Sequence, residues 1–208
     1  MLILTAAVLL TLQAVAQPAP APTPQQEFQT LLERVKKSDA SVDFTRLRQL
    51  QTQLDDYKPY GVSVEEHPFK VLKAGNLDRA QALVQQILAE SYLDVDAHNV
   101  GALLADKRGD KAAAAHHRYV LGGVIDSILA SGDGKTAETA WVVIAVSEEY
   151  ATVGVLGLQV VEQNLVRDAE SGHSYDVLEV MDPETKTTQR VYFNIDSVMG
   201  ALSKKFPG

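Results

Sequence analysis

The spacing of apolar residues changes once along the chain, near Gly132, and this change constrains the fold more than any other feature. From Glu27 to about Leu129 apolar residues recur at every third or fourth position, which is typical of amphipathic helices. Beyond Gly132 they form β-branched runs or alternate with polar residues, which is typical of strands. We therefore predict an α+β fold, in which a helical region (27–131) and an α+β region (132–208) pack as one unit.

The helical region contains two similar segments. GNLDRA begins at Gly75 and GDKAAA at Gly109, an offset of 34 residues that also aligns Ala80 with Ala114. A glycine allows the turn between antiparallel helices and a small alanine lets their backbones approach, so the pattern resembles the tetratricopeptide repeat. Only about one and a half repeats are recognisable, whereas a free-standing array needs about three. We therefore expect these helices to pack against another part of the chain.

The second region predicts a small antiparallel sheet of three or four strands. The predicted strands are Trp141–Val146, Leu158–Val166, 175–182 and 188–196, and a short helix follows from Ser197. We expect the sheet to pack on the last long helix, because a few bare strands are rarely stable in water.

The segment SGDGKT, residues 131–136, resembles a phosphate-binding loop. Such a loop requires Gly-x4-Gly-Lys-[Ser/Thr] between a strand and a helix. The residue five positions before Gly134 is Leu129, and here a helix precedes the loop and a strand follows it. We therefore predict a helix-to-strand turn that binds no nucleotide.

The start of the chain indicates export. Residues 2–16 are almost wholly apolar and end in Ala14-Val15-Ala16, although no lysine or arginine precedes them. A membrane-spanning helix needs about 20 apolar residues, so we predict a cleaved signal peptide over 1–16, with an uncleaved anchor as the alternative. A Pro/Ala-rich linker, 17–26, follows. The expected location is the periplasm or the extracellular space, with no membrane span after signal removal.

Composition excludes several classes of function. The chain has no cysteine, so it has neither disulfides nor thiolate metal sites. Its formal net charge is −8 and its lysines and arginines are scattered, whereas nucleic-acid-binding proteins carry a basic face. We expect no nucleic-acid partner.

Several blocks of the chain resemble a known family. SGDGKTAETAWVVIAVSEEY, LGLQVVEQNLV and RVYFNID are similar to successive blocks of a secreted bacterial family called domain of unknown function 4919. The resemblance covers nearly all of the chain that follows the predicted signal peptide. It implies secretion and this order of helices and strands, and it implies no activity.

The histidines do not predict a metal or catalytic site. His116 and His117 are adjacent on a helix, so their side chains diverge by about 100° and do not easily share a metal, although His98 could approach one of them. His173 and Ser174 would point to opposite faces of a strand, and no Gly-x-Ser-x-Gly motif is present. We predict no catalytic residue, no metal and no cofactor.

Two functional hypotheses remain. The first is an exported, non-catalytic protein of the bacterial cell envelope that binds a protein or peptide, or has a structural role, through the helical repeats and the sheet edge. Its candidate binding residues on the second repeat are Asp96, Asn99, Leu103, Asp106 and Lys107.

The alternative is a small carboxylate-dependent hydrolase around Asp133 and Glu138. Two of the carboxylates Asp133, Glu138, Glu148 and Glu149 could converge as acid and base or as Ca²⁺ ligands. The same residues could instead bond turn amides and favour a helix start.

Overall fold

The computed structural model describes residues 21–205, so the predicted signal peptide, the first linker residues and residues 206–208 lie outside the described part. Within it the chain forms eight helices and four strands. In chain order they are α1 (Pro24–Lys36), α2 (Phe44–Gln51), α3 (Pro68–Lys73), α4 (Leu77–Glu90), α5 (Val95–Arg108), α6 (Lys111–Leu129), β1 (Trp141–Val142), α7 (Val146–Val155), β2 (Gln159–Arg167), β3 (Ser174–Met181), β4 (Thr188–Asn194) and α8 (Asp196–Lys205).

Polar caps fix where the first helices begin. Thr23 and Gln26 form a reciprocal capping box, so α1 begins at Pro24, inside the residues that the sequence assigned to the linker. Asp43 accepts a hydrogen bond from the Arg46 N–H and starts α2. These caps satisfy backbone donors that the first turn of a helix leaves unpaired.

The two segments related by 34 residues share their local structure. Gly75 and Gly109 both adopt positive φ, 83° and 74°. Each precedes an N-cap, Asn76 or Asp110, whose side chain accepts a hydrogen bond from a backbone N–H of the first turn. The aligned alanines, Ala80 and Ala114, are both buried. The aligned positions therefore serve the same purpose at the start of α4 and of α6.

The sheet is mixed, which corrects the prediction of an antiparallel sheet. Its strand order is β1-β4-β3-β2, and β1 runs parallel to β4 with Trp141 opposite Phe193. Strands joined by a hairpin must run antiparallel, as β3 and β4 do. Because α7, β2 and β3 separate β1 from β4 along the chain, no hairpin dictates the direction of β1.

The first strand is also shorter than predicted. It covers two residues, and α7 begins at Val146, where the predicted strand was to end. The Glu148 carboxylate accepts the Ile144 N–H at 2.8 Å, so this donor does not continue the sheet. Acidic residues in a first helical turn also favour the start of α7.

One core joins the helices to the sheet. Its buried members include Leu47, Leu50, Val120, Val124 and Ile128 from helices and Leu178, Val180, Val191 and Phe193 from strands. A second apolar cluster joins α3, α4 and α5. None of the helices within residues 21–205 combines the length and the apolarity needed to cross a bilayer.

A buried ion pair crosses the main core. Arg48 donates from Nε and Nη2 to the Glu148 carboxylate, at 3.1 and 2.6 Å. It also donates to Ser127 Oγ at 3.1 Å and to the Val142 carbonyl at 3.0 Å. Arg48 and Glu148 are each 4% exposed. This network ties α2, α6, β1 and α7 together at one point.

Candidate functional site

Strand β2 is the most exposed strand of the sheet. It lies at the edge, with β3 as its one neighbour in the sheet. Every residue from 161 to 167 is exposed, including Val161 (57%), Leu165 (62%) and Val166 (43%). A strand normally buries at least one face. In β2, three apolar side chains are exposed to solvent. One row of its backbone N–H and C=O groups, on the side away from β3, has no neighbouring strand.

A β-bulge interrupts β2 at Val161. Val160 pairs with Val180 and Glu162 with Glu179, so Val161 is an extra residue without a partner in β3. Bulges increase the local twist and are over-represented at sheet edges and beside functional sites. The bulge leaves the Val161 side chain exposed.

Helix α7 also carries exposed apolar side chains. The Tyr150 hydroxyl donates a hydrogen bond to the side-chain amide oxygen Oε1 of Gln163 and so connects α7 to β2. We define the α7–β2 surface as the exposed side chains of Tyr150, Val155, Leu156, Val161 and Leu165. Contiguous exposed apolar patches on folded proteins mark interaction sites.

A pair of carboxyl groups lies beneath this surface. Glu149 is fully buried and Asp176, on β3, is 8% exposed. Among the described residues no N–H or O–H donor reaches either Glu149 oxygen. Burial, and then the nearby charge of Asp176, raise the pKa of Glu149 to about 9. Glu149 is therefore a neutral carboxylic acid at pH 7, and its proton can be donated to Asp176.

Hydrogen bonds connect this buried acid to the surface. Gln163 Nε2 donates to Asp176 Oδ2 at 2.9 Å, while Tyr150 donates to the other end of the same amide. A buried acid with a strongly raised pKa lowers stability at neutral pH, and such groups cluster at functional sites. Gln163 thus links the carboxyl pair to Tyr150, and we take the pair and the α7–β2 surface together as the candidate site.

Glu148 and Glu149, which the sequence grouped with Asp133 and Glu138, have different partners in the fold. Glu148 binds Arg48, and Glu149 lies beside Asp176. Sequence reasoning missed Asp176, although the pattern contains a signal for it. Strand alternation places Asp176 on the same face as Leu178 and Val180, which are fully buried, so it is a polar residue on an apolar face.

Asp133 and Glu138 lie together in the turn between α6 and β1, and both are exposed. Asp133 accepts hydrogen bonds from the Lys135 N–H at 3.1 Å and from the Thr139 hydroxyl at 2.6 Å. These bonds hold the pKa of Asp133 below its usual value. A hydrogen bond with Thr136 likewise lowers the pKa of Glu138.

The same segment confirms the predicted helix-to-strand turn. Gly134 has φ +68°, and a Cβ there would lie 2.7 Å from the Trp141 ring. Trp141 in turn donates its indole N–H to the Gly132 carbonyl at 3.0 Å. The turn is packed against its own strand.

The candidate binding residues of the second repeat all lie on α5. Asn99 and Lys107 are exposed, and the Asp106 carboxylate is paired with Arg118 of α6. Asp96 is half-buried, which raises its pKa, and lies 3.6 Å from His67 Nε2. The structure therefore puts all five of these residues on one helix, and the two other candidate binding residues, Asp133 and Glu138, in the turn after α6.

Three of the histidines, His98, His116 and His117, lie in one cluster. His98 Nε2 donates to the Tyr92 carbonyl at 2.7 Å, since a carbonyl can only accept. Burial lowers the pKa of His98 to about 4, so at pH 7 its Nδ1 is bare and accepts from His117 Nδ1 at 2.9 Å. Within residues 21–205 no group of three or more histidine, aspartate or glutamate side chains is placed to hold a metal ion.

Comparison with known proteins gives one match. The family model described as Domain of unknown function (DUF4919) matches residues 23–204. The chain belongs to this family. The match extends from the N-cap of α1 to the last turn of α8 and therefore includes the whole candidate site. Neither the curated proteins nor the solved structures contain a match to the chain.

Proposed function

We propose that the protein is an exported, non-catalytic binding protein of the bacterial cell envelope, which acts in the periplasm or outside the cell. It binds another protein through the edge of β2 and the α7–β2 surface. The observation that carries the proposal is that every residue from 161 to 167 is exposed, in a strand whose outer edge is open.

The chemistry of the partner follows from that edge. An extended segment can add to a sheet edge through main-chain hydrogen bonds, and its side chains on alternate positions then give specificity. Gln163 and Leu165 lie on one face of β2, opposite Leu178 and Asp176, and Val161 is exposed at the bulge. The matching segment is an extended strand with an apolar side chain opposite Leu165.

The other parts of the proposal have separate support. Export is supported by the apolar opening that ends in Ala14-Val15-Ala16, and a tetratricopeptide-like scaffold by the shared geometry at Gly75 and Gly109. The net charge of −8 argues against a nucleic-acid partner. Mass spectrometry of the secreted protein should find a chain that begins at or near Gln17. A full-length cytosolic product would contradict export.

The two alternative sites have less support. Asp133 and Glu138, on which the hydrolase hypothesis depends, are exposed acids whose pKa values are lowered, whereas a general acid needs a raised pKa. On α5, the Asp106 carboxylate is already paired with Arg118. The α7–β2 surface combines an open backbone edge with unpaired apolar side chains.

Site-specific photo-crosslinking in the producing organism tests the proposal. A photoreactive residue is placed at Leu165, at Lys107 on α5, or at Glu184 in the β3–β4 turn as the control. We expect the same partner to be captured repeatedly at Leu165 and not at Glu184. The purified partner should then bind at least about tenfold more weakly to Leu165→Lys. Capture at Lys107 alone would move the binding site to α5 and overturn the proposal.

A further inference from the structure

Three of the five histidines of the chain meet where α5 packs on α6. We call His98 of α5 and His116 and His117 of α6 the histidine cluster. The centroids of the three rings are 5.0 to 6.3 Å apart. His98 is 1% exposed, whereas His116 and His117 are half-buried. The cluster therefore brings three titratable groups together between two packed helices.

One hydrogen bond between two imidazoles joins α5 to α6 within the cluster. His98 Nδ1 accepts from His117 Nδ1 at 2.9 Å, while His98 Nε2 donates to the Tyr92 carbonyl. The His117 ring also lies against the α5 backbone, since a Cβ added at Gly101 would be 2.5 Å from its Cε1 atom. The two helices are therefore in close contact at this bond.

The three histidines respond differently to an added proton. The two ring nitrogens of His116 bond with the hydroxyls of Ser38 and Tyr92, and a hydroxyl can accept as well as donate, so an added proton breaks neither bond. A proton on His117 Nε2 leaves the donor to His98 in place. A proton on His98 Nδ1, in contrast, faces the His117 N–H, and that bond is lost.

A positive charge on His98 has no acidic group to offset it. Acidic side chains of the surrounding elements have other partners: Glu33 pairs with Lys36, Asp39 with Arg34, Asp106 with Arg118, and Asp94 accepts the Ala97 N–H. Lys36 adds a second positive charge, because its Nζ lies 5.6 Å from the centroid of the Tyr92 ring. Among the described residues no carboxylate shifts the pKa of any histidine of the cluster, and burial lowers all three values.

We infer that the histidine cluster is an acid-sensitive latch between α5 and α6. While His98 is neutral, its bond with His117 holds the helices together, and once His98 takes up a proton the helices separate at this point. An unpaired charge is costly at a site that is 1% exposed, and separation both removes the facing N–H and admits water. The inference goes beyond the proposed binding function and does not depend on it.

Burial sets the direction and the range of the pH response. It lowers the pKa of His98 from an ordinary value of 6.5 to about 4. The separated state, in which water reaches the ring, binds the proton more tightly, so acid favours separation below pH 6.5 and the effect is complete below about pH 4. Between pH 7 and pH 5 the equilibrium constant for separation should rise about 20-fold.

Hydrogen–deuterium exchange of the purified protein at pH 7 and pH 5 tests the latch. After correction for the intrinsic pH dependence of exchange, peptides from α5 and α6 should exchange about 20-fold faster at pH 5, while peptides from β3 and β4 should not change. An NMR titration of the histidine ring protons should place the midpoint of His98 near pH 4.

Two glutamine variants identify the residue that responds. His98→Gln does not ionise, and its amide can donate to the Tyr92 carbonyl, so its corrected exchange in α5 and α6 should be the same at both pH values. His173→Gln is the matched control, because His173 is exposed and lies outside the cluster, and it should respond like the wild type.

Several results would overturn the latch. They are exchange in α5 and α6 that is equal at both pH values, a response that persists in His98→Gln, and equal acceleration in β3 and β4, which would show that acid unfolds the whole chain. If circular dichroism shows that His98→Gln is unfolded, the wild-type titration decides. A His98 midpoint near pH 6.5 then overturns the inference, and a midpoint near pH 4 with faster exchange in α5 and α6 supports it.

Discussion

Replacing Glu149 by glutamine should stabilise the folded protein, and the gain in stability should grow as the pH rises. The fold raises the pKa of Glu149 from an ordinary value of 4.5 to about 9. Below pH 4.5 this residue is protonated in both the folded and the unfolded chain. Between pH 4.5 and 9 only the folded chain keeps the proton, so the free energy of unfolding falls by about 1.4 kcal/mol per pH unit. Above pH 9 the loss is complete.

The size of the effect at pH 7 follows directly. This pH is about 2.5 units above the unfolded pKa of 4.5, which corresponds to about 3 kcal/mol. Glutamine has nearly the same shape, does not ionise, and can donate an amide N–H to Asp176. Glu149→Gln should therefore be more stable than the wild type at pH 7 by about 3 kcal/mol, or roughly 6 to 12 °C in Tm. The advantage should vanish near pH 4.5.

Urea unfolding at several pH values between 5 and 9 measures this difference. Trp141, the single tryptophan, is buried and provides a fluorescence probe of the core. The matched control is Glu138→Gln, because Glu138 is exposed and its pKa is lowered. The difference between Glu149→Gln and wild type should widen steadily with pH. A constant difference, or a variant that is less stable at pH 9, would refute the raised pKa.

Three further predictions concern the core and the turn. Arg48→Ala should cost about 3 to 5 kcal/mol of stability because it leaves a buried carboxylate unpaired, and a loss below about 1 kcal/mol in urea unfolding would contradict this. Gly134→Ala should lower Tm, since the glycine has φ +68° and a Cβ would meet the Trp141 ring. Gly154→Ala, in open space on α7, should raise it slightly. Fragments that end at Ser131 or begin at Gly132 should be insoluble or molten, and dispersed amide spectra from either one would show two independent domains.

Periodicity was sufficient to predict a helical front half and most of the sheet, but not α7. The observed bounds of β2, Gln159–Arg167, and of β3, Ser174–Met181, each lie within one residue of the prediction. The direction of β1 was not predictable, because parallel pairing with β4 depends on contacts between residues far apart in the chain. Strand β1 ends early because the Glu148 side chain accepts the Ile144 N–H. No pattern in the sequence reveals this contact.

The site was predictable only in outline. The sheet edge and the acidic residue Glu149 were both candidates from the sequence. The partner of Glu149 was not found, because Asp176 comes 27 residues later, on another strand, and a sequence gives no distances. The turn around Asp133 could be assigned because its glycines and short polar side chains act locally.

The network around Arg48 sets the order in which the chain can finish folding. Arg48 needs acceptors that lie 79, 94 and 100 residues further along the chain. At a synthesis rate of roughly 5 to 20 residues per second, the Glu148 carboxylate emerges on the order of 5 to 20 s after Arg48. Until then Arg48 lacks the acceptors that it has in the folded core. Under the proposed export, this delay would leave time for translocation before the core is complete.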